Sequence, residues 1–524
     1  MAASSPGYDL PGVAPACGGG APIDPVASSH IGMAADLDGY PSTPPYGPEA
    51  SYPEYPWGPE TLAKEKNHAY RGVRDALRRL GLDEKHYDTR AWNPLGVFVR
   101  PGQTVVLKPN FIRDFRETHA GDEDCLITHG SILRAALDYA YIALGGDGRI
   151  IIADAPQNDA DFDAVRRMAG LDAIRKHYRR HAGFDVEVRD LRPEKARKCD
   201  GVIVGHERLA GDPAGYVRVD LGTHSMFADV EELCHLLYGS EYDTSEIRRH
   251  HTDGRHEYLI SGTVLQADCV INLPKLKTHK KTGITAGLKN LVGINGNKNW
   301  LPHHRLGTPS QGGDQFADER MKRRVERQVM AGFRRVFPLL GPLRGALAKP
   351  LVGAGRRVFG DTNTDTVRSG NWHGNDTTWR MVIDLNRVLL YADAKGHLRD
   401  APVRQVLSIV DGIVGGEGNG PLDPTPKRAK VVLAGVNPVA VDLVCASLMG
   451  FDCDRLPLLK QGLREHALPL VAFSPEEITW RSTDDGPAQR LTDVAERALH
   501  FRPHFGWRGH VEAGRSAAYG RDDL

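Results

Sequence analysis

Four short apolar runs along the chain each stop at a polar residue. Thr104 to Leu107 runs into Lys108-Pro109-Asn110-Phe111, Arg149 to Ala153 into Asp154, Cys269 to Ile271 into Asn272 and Pro274, and Val406 to Val410 into Asp411-Gly412. Apolar, β-branched runs of this length bounded by turn residues predict buried strands. Elsewhere the spacing changes to that of helices. Leu62, Tyr70, Val73, Leu77 and Leu80 fall on one face from Glu60 to Leu82, with Gly81 as the stop. Further helices are predicted from Ile132 to Leu144, Asp163 to Arg180, Met381 to Tyr391 and Val439 to Met449. Strand, helix, strand in that order builds right-handed βαβ units. The expected fold class is therefore α/β: a layered, mostly parallel sheet with helices on both faces.

Neither period holds in three places. Residues 1–59 are rich in Pro, Gly, Ser, Ala and Tyr and are expected to be a disordered tail, because they bury too little apolar surface to offset ordering. Tyr40, Tyr46, Tyr52 and Tyr55 leave open that part of this tail docks on the core. Residues 321–360 spread arginines and lysines among apolar positions, which predicts a basic amphipathic helical insertion. Such a helix either touches an anionic membrane surface or acidic partner, or simply covers the core. Residues 476–524 are expected to be an irregular C-terminal tail. Between these pieces lie the two halves of the core, 60–320 and 361–475.

Composition narrows the setting. Lys plus Arg and Asp plus Glu balance at 67 each over 524 residues, which excludes a global attraction to nucleic acid. Seven cysteines are scattered without a CxxC pair, a usage that suits a reducing cytoplasm and excludes a Cys-ligated iron-sulfur cluster. No apolar run approaches the roughly 20 residues that span a bilayer.

The chemistry concentrates between Ala267 and His304. Lys275, Lys277, Lys280 and Lys281 crowd around Thr278 and His279, a local positive potential suited to a phosphate or carboxylate. Gly283 and Gly287 follow, then Lys289 and the pair His303/His304. Lys108 and Asn110 stand at the carboxyl end of a predicted strand, where open α/β sheets bind ligands. The loop VGGEGNGP after Asp411 reads in two ways: as an anion nest of backbone N–H groups, or as a divalent-metal site built on Asp411 and Glu417. Trp372 and Arg380 lie in a stretch dense in Asn, Asp and Thr, which either holds a sugar or nucleotide or is a self-bonded loop. The tandem histidines His250 and His251, with His256, either ligate a metal or, as the commoner case, sit idle in an exposed loop, and Asp442 reads as a structural carboxylate near a helix start.

Three blocks in order, VVLKPNF from Val105, INLPKLKTHKKTGITAGLKNLVG, and IVDGIVGGEGNGP from Ile409, resemble the domain-of-unknown-function 362 family. The resemblance runs from about Val105 to Leu463 and implies an α/β fold without naming a reaction. A second resemblance is to the nickel-pincer lactate racemases, on His279, Lys289 ten residues later, and His303/His304. It implies His279 as an acid/base, Lys289 as the carrier of a covalently attached nickel-pincer nucleotide, and a later histidine as metal ligand. The reading that results is an enzyme acting on a small anionic substrate, with His279, Lys289 and Asp411 catalytic. Lys108, Asn110, Lys275, Lys277, Thr278, Trp372 and Arg380 would bind substrate, and Asp411, Glu417, His303 and His304 would hold any metal. The alternative is a non-catalytic module for acidic glycans or lipid-linked sugars.

Overall fold

The computed structural model describes residues 23–116, 124–199, 202–240, 244–319, 366–483 and 486–514, with 328–329 and 332 besides. Its main sheet runs, from one edge, through Gln489–Arg490, Thr479–Arg481, His30–Ala34, Asp423–Gly435, Gln405–Asn419, Cys269–Leu273, Thr104–Pro109, Arg149–Asp154 and Glu187–Asp190. The last five of these pair in parallel. Lys275–His279 continues beyond Pro274, pairing in parallel with the far half of Gln405–Asn419 and antiparallel with Gly283–Thr285.

Side chains alternate across the sheet, and two apolar cores result. Val105, Leu107, Ile150, Ile152, Ile271 and Ile409 face one core, shared with the helices His68–Arg79, Gly130–Leu144 and Leu171–Ala182. Val106, Ile151, Val270, Val406 and Val410 face the other, covered by Thr378–Tyr391 and Pro438–Met449. This is the expected α/β layering, with Gly130–Leu144 crossing between the parallel strands Thr104–Pro109 and Arg149–Asp154.

Several expectations need correction. The tail is shorter than 1–59, because His30–Ala34 is an interior strand of the sheet and Tyr46, Tyr55 and Trp57 are buried. A Pro-rich composition hides this docking, since the aromatic anchors find their partners only in the folded core. Trp57 Nε1 and the hydroxyls of Tyr70 and Tyr178 all donate to Asp138, itself paired with Arg134. The C-terminal stretch is likewise built in, through the strand Thr479–Arg481 and the buried Trp480 and Trp507. The helix from Asp163 to Arg180 is two, Phe162–Met168 and Leu171–Ala182, parted at Gly170 with φ +63. The first helix is His68–Arg79, where Asn67 caps by accepting from Tyr70 N.

The glycine-rich VGGEGNGP is no loop but part of the long hairpin Gln405–Asn419 and Asp423–Gly435. Its glycines serve close packing: a Cβ on Gly416 would meet Pro424 Cβ at 2.8 Å and Lys277 Cβ at 3.0 Å. The expected basic insertion at 321–360 lies almost wholly outside the described residues. Among the described residues no helix is long and apolar enough to cross a membrane.

Candidate functional site

Lys108 ends its strand fully buried and pairs with Asp154, at the end of the neighbouring strand, at 2.8 Å. The other Asp154 oxygen accepts from Phe111 N at 2.8 Å. Gly293 passes directly over this pair: a Cβ there would lie 2.0 Å from Asp154 Oδ1 and 2.7 Å from Lys108 Nζ. Beside it, three asparagines lock the strand ends to the short helix Gly287–Asn290. Asn290 accepts from Asn110 Nδ2 at 2.9 Å and donates to Asn272 Oδ1 at 2.8 Å and Lys108 O at 3.1 Å. Asp442 holds the start of the same helix by accepting from Gly287 N and Leu288 N, and burial pushes its carboxyl up to about 7.

The strand Lys275–His279 lays Lys275, Lys277 and His279 on one face, as a period of two requires. Lys275 Nζ meets Asp411 at 2.9 Å, both side chains wholly buried. Asp411 also accepts from His129 N at 2.9 Å and from the Tyr40 hydroxyl. Tyr40 stacks on the His129 ring at 4.2 Å. Lys277 has no carboxylate: its Nζ donates to Asn110 Oδ1 at 3.0 Å and Leu126 O at 2.6 Å. Burial, with Lys275 and Lys289 nearby, holds its ammonium down to about 7. His279 follows, with Nδ1 accepting from Lys281 N at 3.1 Å and Thr282 N at 3.2 Å. An acceptor Nδ1 places the proton of the neutral ring on Nε2. Burial and then Lys289 hold His279 well below the ordinary histidine range.

Lys289 completes the group. No hydrogen bond of its Nζ is found among the described residues. Burial and the nearby Lys108 lower it to about 8. Lys298 donates to Ala155 O at 2.7 Å and is lowered to about 7, chiefly by burial. Lys281, also lowered by burial, donates to Ser369 O at 2.6 Å and His303 O at 3.1 Å. Buried cations without matching carboxylates are electrostatically expensive. An anion placed among Lys277, Lys289 and Lys298 would relieve that cost.

Strand-end residues anticipated from sequence thus converge: Lys108, Asn110, Asp154, Lys275, Lys277, His279, Lys289 and Asp411 form one continuous row. Others fall outside it. Thr278 points to the opposite face and donates to Gly418 O. Glu417 lies six residues along the hairpin from Asp411 and accepts from Arg502 N at 3.0 Å. Asp411 already accepts from three donors, and it does not join Glu417 in a ligand cluster among the described residues. His303 lies near His279 and Lys289; its Nδ1 bonds Leu301 O at 2.8 Å. His304 packs its ring against Tyr238 at 4.8 Å and reaches Lys281 Nζ at 3.4 Å. Neither histidine joins Asp411 or Glu417 in a ligand cluster among the described residues.

Trp372 and Arg380 are committed within the chain. Trp372 Nε1 donates to Asp314 O at 2.9 Å, and Arg380 bonds Asp376 and Met226 O. Sequence reasoning left open that Tyr40 docks but gave it no place in the site, 235 positions before Lys275, and gave none to His129. It also passed over Lys298. The strand-end rule finds none of these, because each arrives on a loop or helix start.

Comparison with known proteins places part of this arrangement. Residues 202–447 match the model of a domain of unknown function, DUF362. No curated protein matches the chain. A crystal structure of a Thermotoga maritima protein, a structural genomics target, aligns at 11% identity with a TM-score of 0.29, covering 72% of this chain and 58% of that one. The matched residues contain Lys275 to Lys298 and Asp411 and leave Lys108 and Asp154 outside. Over residues 202–447, somewhat under half of its length, the chain is similar to the DUF362 family.

Proposed function

We propose that this protein is an enzyme acting on a small phosphorylated or carboxylated substrate by lysine and histidine acid–base chemistry. The observation that carries the reading is the row of Lys277, fully buried, with Lys289 and Lys298, both half-buried, whose ammonium groups meet no carboxylate partner among the described residues. A bound anion would hold Lys277 and Lys298 protonated. Lys289, with a lowered affinity for its proton and its Nζ unengaged among the described residues, is the group suited to act as base. His279 is suited to the opposite role, presenting Nε2–H from a ring fixed through Nδ1. Lys289 takes a proton from the substrate and returns it at the end of the step, while the neutral His279 ring polarises the substrate by donating a hydrogen bond from Nε2–H, the pairing needed for an isomerase-like step. Lys275, Asp411, Tyr40 and His129 brace the strand that carries His279. The substrate is free in solution and the setting is a reducing cytoplasm, in keeping with the buried Cys234, Cys269 and Cys445, which form no disulfide.

A Lys289-linked nickel-pincer nucleotide fits these residues. Lys289 Nζ is unengaged among the described residues, and His303, with Nδ1 committed to Leu301 O, keeps Nε2 for a metal. Such a group would supply a nickel centre between them. Elemental analysis and intact mass of the purified protein test this addition separately.

The main reading is tested by thermal-shift and calorimetric titration with a panel of small phosphates and carboxylates. Binding should be lost in Lys289→Ala and kept in Trp372→Ala. The opposite pattern would support the non-catalytic glycan binder instead. With a substrate in hand, His279→Ala should lower turnover by about 10² to 10⁴ while the fold is retained.

A further inference from the structure

The His/Arg-rich stretch between Ser225 and Tyr258 reads as a solvated loop, yet His251 and His256 are fully buried. His256 is fixed through its backbone, N donating to Asp220 Oδ1 at 2.9 Å and O accepting from Leu221 N at 3.1 Å. Among the described residues neither of its ring nitrogens has a hydrogen bond. Facing it is the 3-10 helix Ala228–Leu236. Residues three apart eclipse in a 3-10 helix, so Glu231 and Cys234 project from one side. Gly254 N donates to Glu231 Oε1 at 3.1 Å. That leaves Oε2 without a hydrogen bond, 2.9 Å from His256 Nε2. A Glu231 oxygen, Cys234 Sγ and a His256 nitrogen all lie within 4.8 Å of one another.

We propose that Glu231, Cys234 and His256 bind a divalent transition metal of the zinc class. The donor set is one sulfur, one imidazole nitrogen and one carboxylate oxygen, which suits zinc and not the oxygen-seeking magnesium or calcium. A metal would also engage the two buried groups that the chain leaves unsatisfied, the His256 ring and Glu231 Oε2. Thiolate and carboxylate together cancel two positive charges, so the buried complex is neutral. On binding, the Cys234 thiol loses its proton to solvent and a sulfur–metal bond forms in its place. A water would supply the fourth ligand of a tetrahedral site.

The site has a consequence for its surroundings. The 3-10 helix leads straight into Leu237–Tyr238, which pairs with His304–Arg305. A metal would tie this strip to the base of Glu257–Ser261 and so clamp the wall that carries His303.

The test is cobalt titration of the full chain after chelator treatment. About one equivalent of Co²⁺ should produce a near-ultraviolet thiolate-to-cobalt band, lost in Cys234→Ser and His256→Gln and kept in His303→Gln and Lys289→Ala. The last two variants separate this site from the lysine row. Absence of the band in the unaltered protein at saturating Co²⁺ overturns the proposal, as does its survival in a folded Cys234→Ser. Should Cys234→Ser not fold, Glu231→Gln on the solvent side is read instead: metal affinity should fall about tenfold or more, and an unchanged affinity overturns the site.

Discussion

Replacing Lys277 with methionine should stabilise the protein at neutral pH while abolishing anion binding. Burial holds Lys277 down to about 7, against about 10.4 for a lysine in an unfolded chain. Between those values the unfolded state carries more protons than the native one, so this residue makes stability rise with pH and weighs most heavily below pH 7. At pH 7 the penalty works out at about 4 kcal/mol. Against it stand the bonds to Asn110 Oδ1 and Leu126 O, whose loss leaves two acceptors unpaired at about 1–3 kcal/mol. Lys277→Met should therefore gain about 1–3 kcal/mol at pH 7 and lose a similar amount near pH 10. Urea denaturation of both proteins at the two pH values measures the difference. A variant less stable at pH 7, or a difference that does not change with pH, would refute the reasoning.

Three further outcomes follow from the same geometry. Gly293→Ala forces a methyl group against Asp154 and Lys108 and should cost about 3–5 kcal/mol by parting a buried ion pair, visible as a lower melting temperature. Asp442 is raised to about 7 by burial, so the native state holds its proton longer and stability falls as pH climbs from about 4 to 7. Asp442→Asn should flatten that slope by about 1.4 kcal/mol per pH unit, read from denaturation at pH 5 and pH 7. Asp138→Ala strips the acceptor from Trp57, Tyr70, Arg134 and Tyr178; it should destabilise by about 3–5 kcal/mol and let protease reach the segment around Trp57 first.

The parallel core was legible because four of its five strands are apolar, β-branched runs ended by a polar residue. Lys108, Asp154 and Asp411 stood out for that reason, and the row of Lys275, Lys277 and His279 follows from period two. Glycine density misled at Gly412 to Gly418, since poor strand formers are tolerated where Pro424, Phe501 and Lys277 press against the backbone. The Tyr40 contact with Asp411 and Lys275 joins residues far apart in sequence and leaves no local pattern. Glu231, Cys234 and His256 were equally invisible, because tandem histidines beside charged residues carry the composition of an exposed loop whether or not the chain folds over them.

The borders of the recognisable family segment and of the sheet do not coincide. Cys269–Leu273 sits inside residues 202–447, but its neighbour Thr104–Pro109 does not. Cut out alone, 202–447 would carry a raw apolar strand edge in the middle of what had been an interior, a ready template for aggregation. It would also strand Asn290 without Lys108 O. Any fragment meant to retain the lysine row must start upstream of Thr104, and one meant to keep Asp411 fully bonded must reach back past Tyr40.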